Sequence, residues 1–291
     1  MSVNKYKVAV VGGAGHIGLP LSCFISSYGN DVLIIDTDTE KLNKLSKNIL
    51  PFKEDGLKEY LKIANKNNIK FSENIDEIYN YELIIITLGT SSSKDDLNKF
   101  QTLMNQVLEN VSKNSKIILR STITNETIDT TLDNKYFKEK NIKLAYCPER
   151  IAEGNSLKEL KELPQIIGTQ DGIEDKYFSS FFRSLDIKTL TTDFKNAVFL
   201  KLFTNSYRYS QFTLINEFFN IAEKNQLDFQ EIIDLAKLDY PRLDNMPSKG
   251  FVGGPCLIKD TETFRIEFSE DSQFLNSLIK INSTFMTNIL N

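Results

Sequence analysis

The sequence predicts an α/β protein: a doubly wound, mostly parallel sheet followed by an all-helical region with one long central helix. Three observations carry this. Short β-branched runs alternate with helix-like segments from Tyr6 to about residue 192, the pattern of a parallel sheet covered on both faces. A glycine-rich turn follows the first of those runs directly. From Asp193 onward the strand signal stops, and Phe194 to Gln226 contains neither proline nor glycine.

The elements follow in order. Tyr6 to Val11 reads as a strand that stops at Gly12-Gly13. Leu19 to Tyr28 has helical periodicity, and Val32 to Ile35 is a buried-strand run ending at Asp36. Leu83 to Leu88, Lys116 to Leu119, Ile142 to Tyr146 and Gln165 to Gly168 repeat the strand signal, with a helix over Leu97 to Val111. Phe194 to Gln226 reads as one helix of about 50 Å, at roughly 1.5 Å per residue. Phe229 to Leu238 and Gln273 to Leu290 read as two more, separated by a Pro/Gly-rich segment, Tyr240 to Pro255. The expected division is residues 1–192 and 193–291.

Composition narrows the class. The 291 residues are 41% hydrophobic and 25% charged, which is enough apolar material for a sizeable core. Thirty-five Lys and Arg against 39 Asp and Glu leave a net charge of −4, which argues against a nucleic-acid binder. No apolar run approaches the roughly 18 residues that span a bilayer, and no charged-then-apolar leader opens the chain, so no membrane association is expected. Cys23, Cys147 and Cys256 are odd in number and scattered. That predicts neither a disulfide scaffold nor a metal site, and makes the cytoplasm the expected compartment.

The glycine turn reads Gly13-Ala14-Gly15-His16-Ile17-Gly18, between a strand and a helix, with Asp36 about 18 residues past the third glycine. Glycines there let the backbone approach a pyrophosphate, and the helix N-terminus offers N–H groups to it. Asp36 would accept hydrogen bonds from an adenosine ribose and repel a 2′-phosphate, which favours NAD over NADP. Gly13, Gly15, His16, Ile17, Gly18 and Asp36 are therefore candidate cofactor contacts. His16 is the sole histidine. Its place in the loop points to a backbone or phosphate-side role, leaving the chemistry to Cys, Lys and carboxylates.

Three features carry candidate chemistry. Lys201 and Asn205 are four apart on the long helix and share a face, so both could meet a substrate oxygen; a solvated helix face is the plain alternative. Cys256 follows Gly253-Gly254-Pro255, with Lys259 positioned to favour its thiolate and Asp260 to orient or deprotonate a water; a buried, inert cysteine is the alternative. Glu149, Arg150 and Glu153 follow a strand, where open α/β sheets place ligands. Acid–base work and a surface salt bridge from Glu149 to Arg150 are both open there.

Taken together, these segments resemble the UDP-glucose/UDP-N-acetylmannosamine dehydrogenase family of nucleotide-sugar 6-dehydrogenases. The likeness runs in order through Gly18-Leu19-Pro20, Pro51 to Leu57, Gly89-Thr90, Leu119 to Ile123 and Pro148 to Gly154. It continues through Leu163 to Ile166, Lys201 to Arg208, Asn216-Glu217 and Gly253 to Asp260. The resemblance implies a four-electron oxidation of a UDP-hexose C6 alcohol, using two NAD and a thioester on Cys256. Lys201 and Asn205 would stabilise oxyanions. Asp260, Glu149 and Thr122 would position and activate water. Thr90 and Thr122 would contact NAD, and Glu153 would lie near cofactor or substrate. Glu149, Arg150, Lys201, Asn205, Arg208, Gly253 and Gly254 would face the substrate.

The resemblance also implies a homodimer through helix 194–226, whose Phe199, Phe203, Phe212, Phe218 and Phe219 exceed what one helix easily buries. It implies a further UDP-binding domain that these 291 residues do not include. Val198 stands where the family commonly has an acid, and Pro255 where members have serine or histidine. Two other readings remain: a two-electron β-hydroxyacid dehydrogenase, which needs no cysteine, and a non-catalytic NAD-binding partner.

Overall fold

A computed structural model describes residues 5–67, 69–90, 94–250, 252 and 255–290. Among them, eight strands form one sheet: β1 (Lys7–Val11), β2 (Asp31–Ile35), β3 (Lys70–Ser72), β4 (Leu83–Ile86), β5 (Lys116–Leu119), β6 (Lys143–Tyr146), β7 (Gln165–Thr169) and β8 (Thr189–Asp193). Their spatial order is β3-β2-β1-β4-β5-β6-β7-β8. Strands β3 to β6 thus take the doubly wound order 3-2-1-4-5-6. Pairing is parallel except between β6 and β7, which run antiparallel and meet at Tyr146 and Gly168.

Sequence pattern explains the buried strands. All four residues of β4 are buried, because helices cover both faces of a parallel sheet. The core gathers Leu19, Phe24, Ile34, Ile85 and Phe178, drawn from strands and helices alike. Strands β3 and β8 went unanticipated. β3 is three residues with none buried, and β8 is threonine-rich and at most half-buried. Both lie at sheet edges, where a strand needs one bonded neighbour and shows little apolar signal.

The predicted long helix is present as Phe194–Lys224. It stops without a glycine. Gln226 adopts a left-handed φ of 55°, and Leu227 N–H donates to the Ala222 carbonyl at 3.0 Å. This closes the last turn as a glycine would. Asp228 then caps the helix Phe229–Lys237 through the N–H groups of Gln230 and Glu231, both at 3.0 Å. A further helix covers Pro255–Phe268, for which the sequence reading gave no bounds. Its proline opens the first turn, where the missing N–H costs nothing.

The chain divides into two compact units, one through Lys201 and one from Leu202. The boundary falls inside the long helix, nine residues past the 192/193 division. The strand signal ends where the sheet ends, whereas packing follows the helix onward. The second unit has its own apolar clusters. Tyr209, Val252, Leu257, Leu275 and Leu278 form one, and Ile215, Ala222 and Phe229 another.

Candidate active site

In the first unit the strand order reverses between β1 and β4, the place where such sheets bind ligands at their carboxyl ends. The glycine loop leaves β1 there. Gly12 and Gly13 N–H both donate to the Ile35 carbonyl, at 2.9 and 3.1 Å. A Cβ on Gly13 would lie 2.7 Å from the Val10 carbonyl oxygen, and one on Gly18 would lie 2.6 Å from Gly13 Cα. Only glycine fits either position. Thr87, at the end of β4, braces the loop with its hydroxyl 3.0 Å from the Val11 carbonyl and 3.1 Å from that of Gly12. Ile17, the N-cap of helix Gly18–Ser27, contributes no side-chain cap; Leu19 N–H donates to the Gly15 carbonyl at 3.0 Å and Pro20 has no N–H, so Gly18 N–H is the first-turn donor that suits an anionic ligand.

Asp36 lies at the tip of β2. Its Oδ2 accepts from Ala14 N–H at 3.0 Å and its Oδ1 from Asp38 N–H at 3.1 Å. One carboxylate therefore ties the glycine loop to the second strand, and each oxygen retains lone-pair capacity for a ribose. Thr90, after β4, donates its hydroxyl to the Thr122 carbonyl after β5. Two of the expected cofactor residues are thereby joined. His16 and Glu153 are joined as well: Nδ1 lies 2.7 Å from Oε1, and the imidazole stacks on Phe52 with ring centroids 4.0 Å apart. Glu54, which the sequence reading left without a role, is buried and accepts from Gly154 and Ser156 N–H, both at 2.8 Å. It fastens the 148–156 loop to the segment carrying Phe52.

Glu149 is not on the surface, and its ion-pair partner is not Arg150. It is buried against Arg120, with Arg120 Nη2 donating to Oε2 and Nη1 donating to Gln165 Oε1 at 2.6 Å. Glu149 Oε1 accepts from the N–H groups of Arg150 at 2.7 Å and Ile151 at 2.9 Å. Burial pushes this carboxyl up, but the Arg120 charge, its hydrogen bond and those two N–H groups outweigh burial and hold it below the ordinary carboxylate range. Glu149 is thus an ionised anchor with room for one further donor, such as a water. Arg150 instead donates to the Pro164 carbonyl.

In the second unit, Asn205 Nδ2 donates to Asp260 Oδ2 at 2.6 Å. Asp260 is fully buried, with Lys259 Nζ 3.5 Å from its Oδ1. Lys259 thus neighbours the acid that follows it in the chain. Cys256 is exposed in the first turn of its helix. Cys23 and Cys147 are buried, and burial pushes each thiol up to about 12. Exposure and position both single out Cys256. Lys201 is half-buried at the end of the first unit, one helical turn before Asn205, and Arg208 is exposed. Gly253 and Gly254 lie outside the described residues. Among the described residues no His/Cys/Asp/Glu cluster could hold a metal ion, and no helix is long and apolar enough to cross a membrane.

A glycine cradle at the switch point, an acid at the tip of β2 and a helix starting directly after the cradle define a dinucleotide-binding protein of the Rossmann class. The chain belongs to the UDP-glucose/GDP-mannose dehydrogenase family: its NAD binding domain matches residues 6–186 and its central domain residues 195–284. The UDP-N-acetyl-D-mannosamine dehydrogenase of Methanococcus vannielii is 28% identical over 285 residues, covering 96% of this chain and 66% of the relative. The solved UDP-D-ManNAc dehydrogenase of Pyrococcus horikoshii is 26% identical with a TM-score of 0.86, covering 96% of this chain and 68% of that one. The chain thus spans about two thirds of the length of these relatives. A likeness of fold alone extends to the 3-hydroxyisobutyrate dehydrogenase of Mycobacterium tuberculosis, 15% identical with a TM-score of 0.67, covering 97% and 94%.

Proposed function

We propose that this chain supplies the cofactor site and nucleophile of an NAD-dependent nucleotide-sugar 6-dehydrogenase. It oxidises the C6 alcohol of a UDP-hexose, UDP-glucose or a UDP-N-acetylhexosamine, to the uronate. One observation carries the reading: an exposed cysteine four residues before a buried Asp260 that is bonded to Asn205. A two-electron alcohol dehydrogenase has no use for that cysteine.

NAD, held by Gly13, Gly15, Gly18 and Asp36 with Thr90 and Thr122 alongside, supplies the hydride acceptor. The C6 alcohol loses a hydride and a proton to give the aldehyde. The Cys256 thiolate adds to that carbonyl, and Lys201 and Asn205 stabilise the oxyanion. The thiohemiacetal loses a second hydride and its hydroxyl proton, leaving a thioester. Water then displaces the thiolate, oriented by Asp260, Glu149 and Thr122. The sum is alcohol, water and two NAD⁺ giving carboxylate, two NADH and three protons. Arg150 and Arg208 face the sugar nucleotide, and Glu153 and His16 lie at the cofactor side.

The helix Phe194–Lys224 leaves Phe199, Phe203, Leu214, Phe218 and Ile221 at 42–52% exposure, while Phe212 and Phe219 pack inward. The exposed stripe supports a homodimer through this helix. The free thiol suits the reducing cytoplasm, and a nucleotide uronate suits polysaccharide biosynthesis.

The shared fold of the 3-hydroxyisobutyrate dehydrogenase favours one competitor, a two-electron β-hydroxyacid oxidation. NADH released per sugar consumed decides between them, measured on a panel of UDP-hexoses with Cys256→Ala alongside. Two NADH, lost in the variant, is the expected result. One NADH, unchanged in the variant, selects the competitor. NAD binding without NADH release moves the reading to a non-catalytic NAD-binding partner.

A further inference from the structure

Asn216 is 1% exposed on the long helix, and its side-chain amide is committed at both atoms to one glycine. Nδ2 donates to the Gly250 carbonyl at 2.8 Å, and Oδ1 accepts from Gly250 N–H at 3.0 Å. The amide thus pairs with both polar groups of one residue, as a neighbouring strand would. Two more contacts tie the same stretch of chain to the same helix. Tyr209 packs in one buried cluster with Val252 and Leu257, and Asn205 donates to Asp260.

Asn205, Tyr209 and Asn216 are spaced by four and seven residues, which places them on one stripe of the helix. Along that stripe the partners come in the opposite sequence order: Gly250 bonded to Asn216, Val252 and Leu257 clustered with Tyr209, Asp260 bonded to Asn205. Two amides therefore bracket an apolar contact, and Cys256 lies between the brackets. A cysteine in the first turn of a helix depends on that turn being held, because the turn sets how its sulfur is presented to a reagent. Of the two brackets, the one at Gly250 lies on the amino side of that helix, two residues before the buried Val252 that clusters with Leu257.

We propose that Asn216 is a positioning residue for Cys256, acting through the backbone of Gly250 to hold the buried Val252 against Leu257, the residue next to the cysteine. The inference rests on the reading of Cys256 as the nucleophile. It assigns Asn216 no contact with substrate. It also explains why a buried amide, costly if unpaired, is placed on this face.

The probe is iodoacetamide. With Cys23 and Cys147 buried, native-state alkylation reports Cys256 alone. Asn216→Ala is expected to slow that alkylation at least about threefold at neutral pH and to expose Gly250 N–H to hydrogen exchange, with the melting transition still cooperative. Asn216→Asp supplies a second readout. Its ionised carboxylate faces the Gly250 carbonyl and lacks the donor, whereas its protonated form restores donor and acceptor together. Its alkylation rate relative to the parent protein should therefore recover as pH falls. Equal rates in the parent and Asn216→Ala, or an Asn216→Asp deficit independent of pH, would overturn the proposal. Failure of the underlying reading shows separately, as NADH release that survives Cys256→Ala.

Discussion

Arg120 and Glu149 form an ion pair whose side chains are only 2% and 9% exposed, linking the ends of β5 and β6. Arg120 reaches on to Gln165 at the start of β7, so one guanidinium joins three neighbouring strands. Breaking such a pair by removing one partner leaves a buried charge, at a cost of about 3–5 kcal/mol. Arg120→Met should therefore lower stability by that amount in urea denaturation. Arg120→Met combined with Glu149→Leu should recover most of it. A double variant no better than the single one would show that the hydrogen bonds to Gln165, Arg150 and Ile151 matter more than the charges.

The same pair sets a pH dependence. The Glu149 carboxyl titrates below its unfolded value, because Arg120 and two N–H groups outweigh the burial that opposes them. Its contribution to stability is complete above the unfolded carboxylate pKa and is lost as pH falls through the lower, folded one. Urea midpoints between neutral pH and pH ~3 should decline more steeply for the parent protein than for Glu149→Gln. Parallel declines would remove Glu149 from the acid response.

Gly18→Ala tests the cradle. Its methyl group would meet backbone, with Gly13 Cα at 2.6 Å, rather than a side chain that can swing away. Overpacking of this kind costs about 1–3 kcal/mol and displaces the loop. Titration calorimetry should show NAD binding weakened by at least tenfold, and retained affinity would mean the loop tolerates the shift.

Asp36→Ala should weaken NAD and narrow the preference for NAD over NADP. It removes both a ribose acceptor and the tie to Ala14 N–H. Fluorescence titration with both cofactors reads the two effects together. Unchanged affinity for each would sink the ribose assignment.

Thiol accessibility gives a direct check on the cysteines. Burial pushes Cys23 and Cys147 up to about 12, whereas Cys256 is exposed. Intact-mass spectrometry at pH ~8 should find one iodoacetamide adduct on the native protein, mapped to Cys256, and three after denaturation. A second native adduct would show that one of the buried cysteines opens.

Periodicity, glycine placement and motif order were enough to foresee the parallel sheet, the dinucleotide loop, the long helix and the family. Each is written locally: a β-branched run is buried wherever the sheet is covered, and Gly13 and Gly18 mark backbone that no side chain could share. What went unseen depends on contacts between distant residues. Glu54 meets Gly154, Arg120 meets Gln165, and Asn216 meets Gly250, each across more than thirty positions. In isolation each of these is an ordinary polar residue; only its burial opposite a particular partner gives it work. The weak edge strands β3 and β8 were missed for a related reason, since their pairing comes from the neighbouring strand and not from their own pattern. The sequence determined which groups are available for chemistry. The tertiary structure decided which carboxylate is locked in an ion pair, which cysteine meets solvent and which amide holds the chain beside it, because burial and partner geometry exist only once the chain has folded.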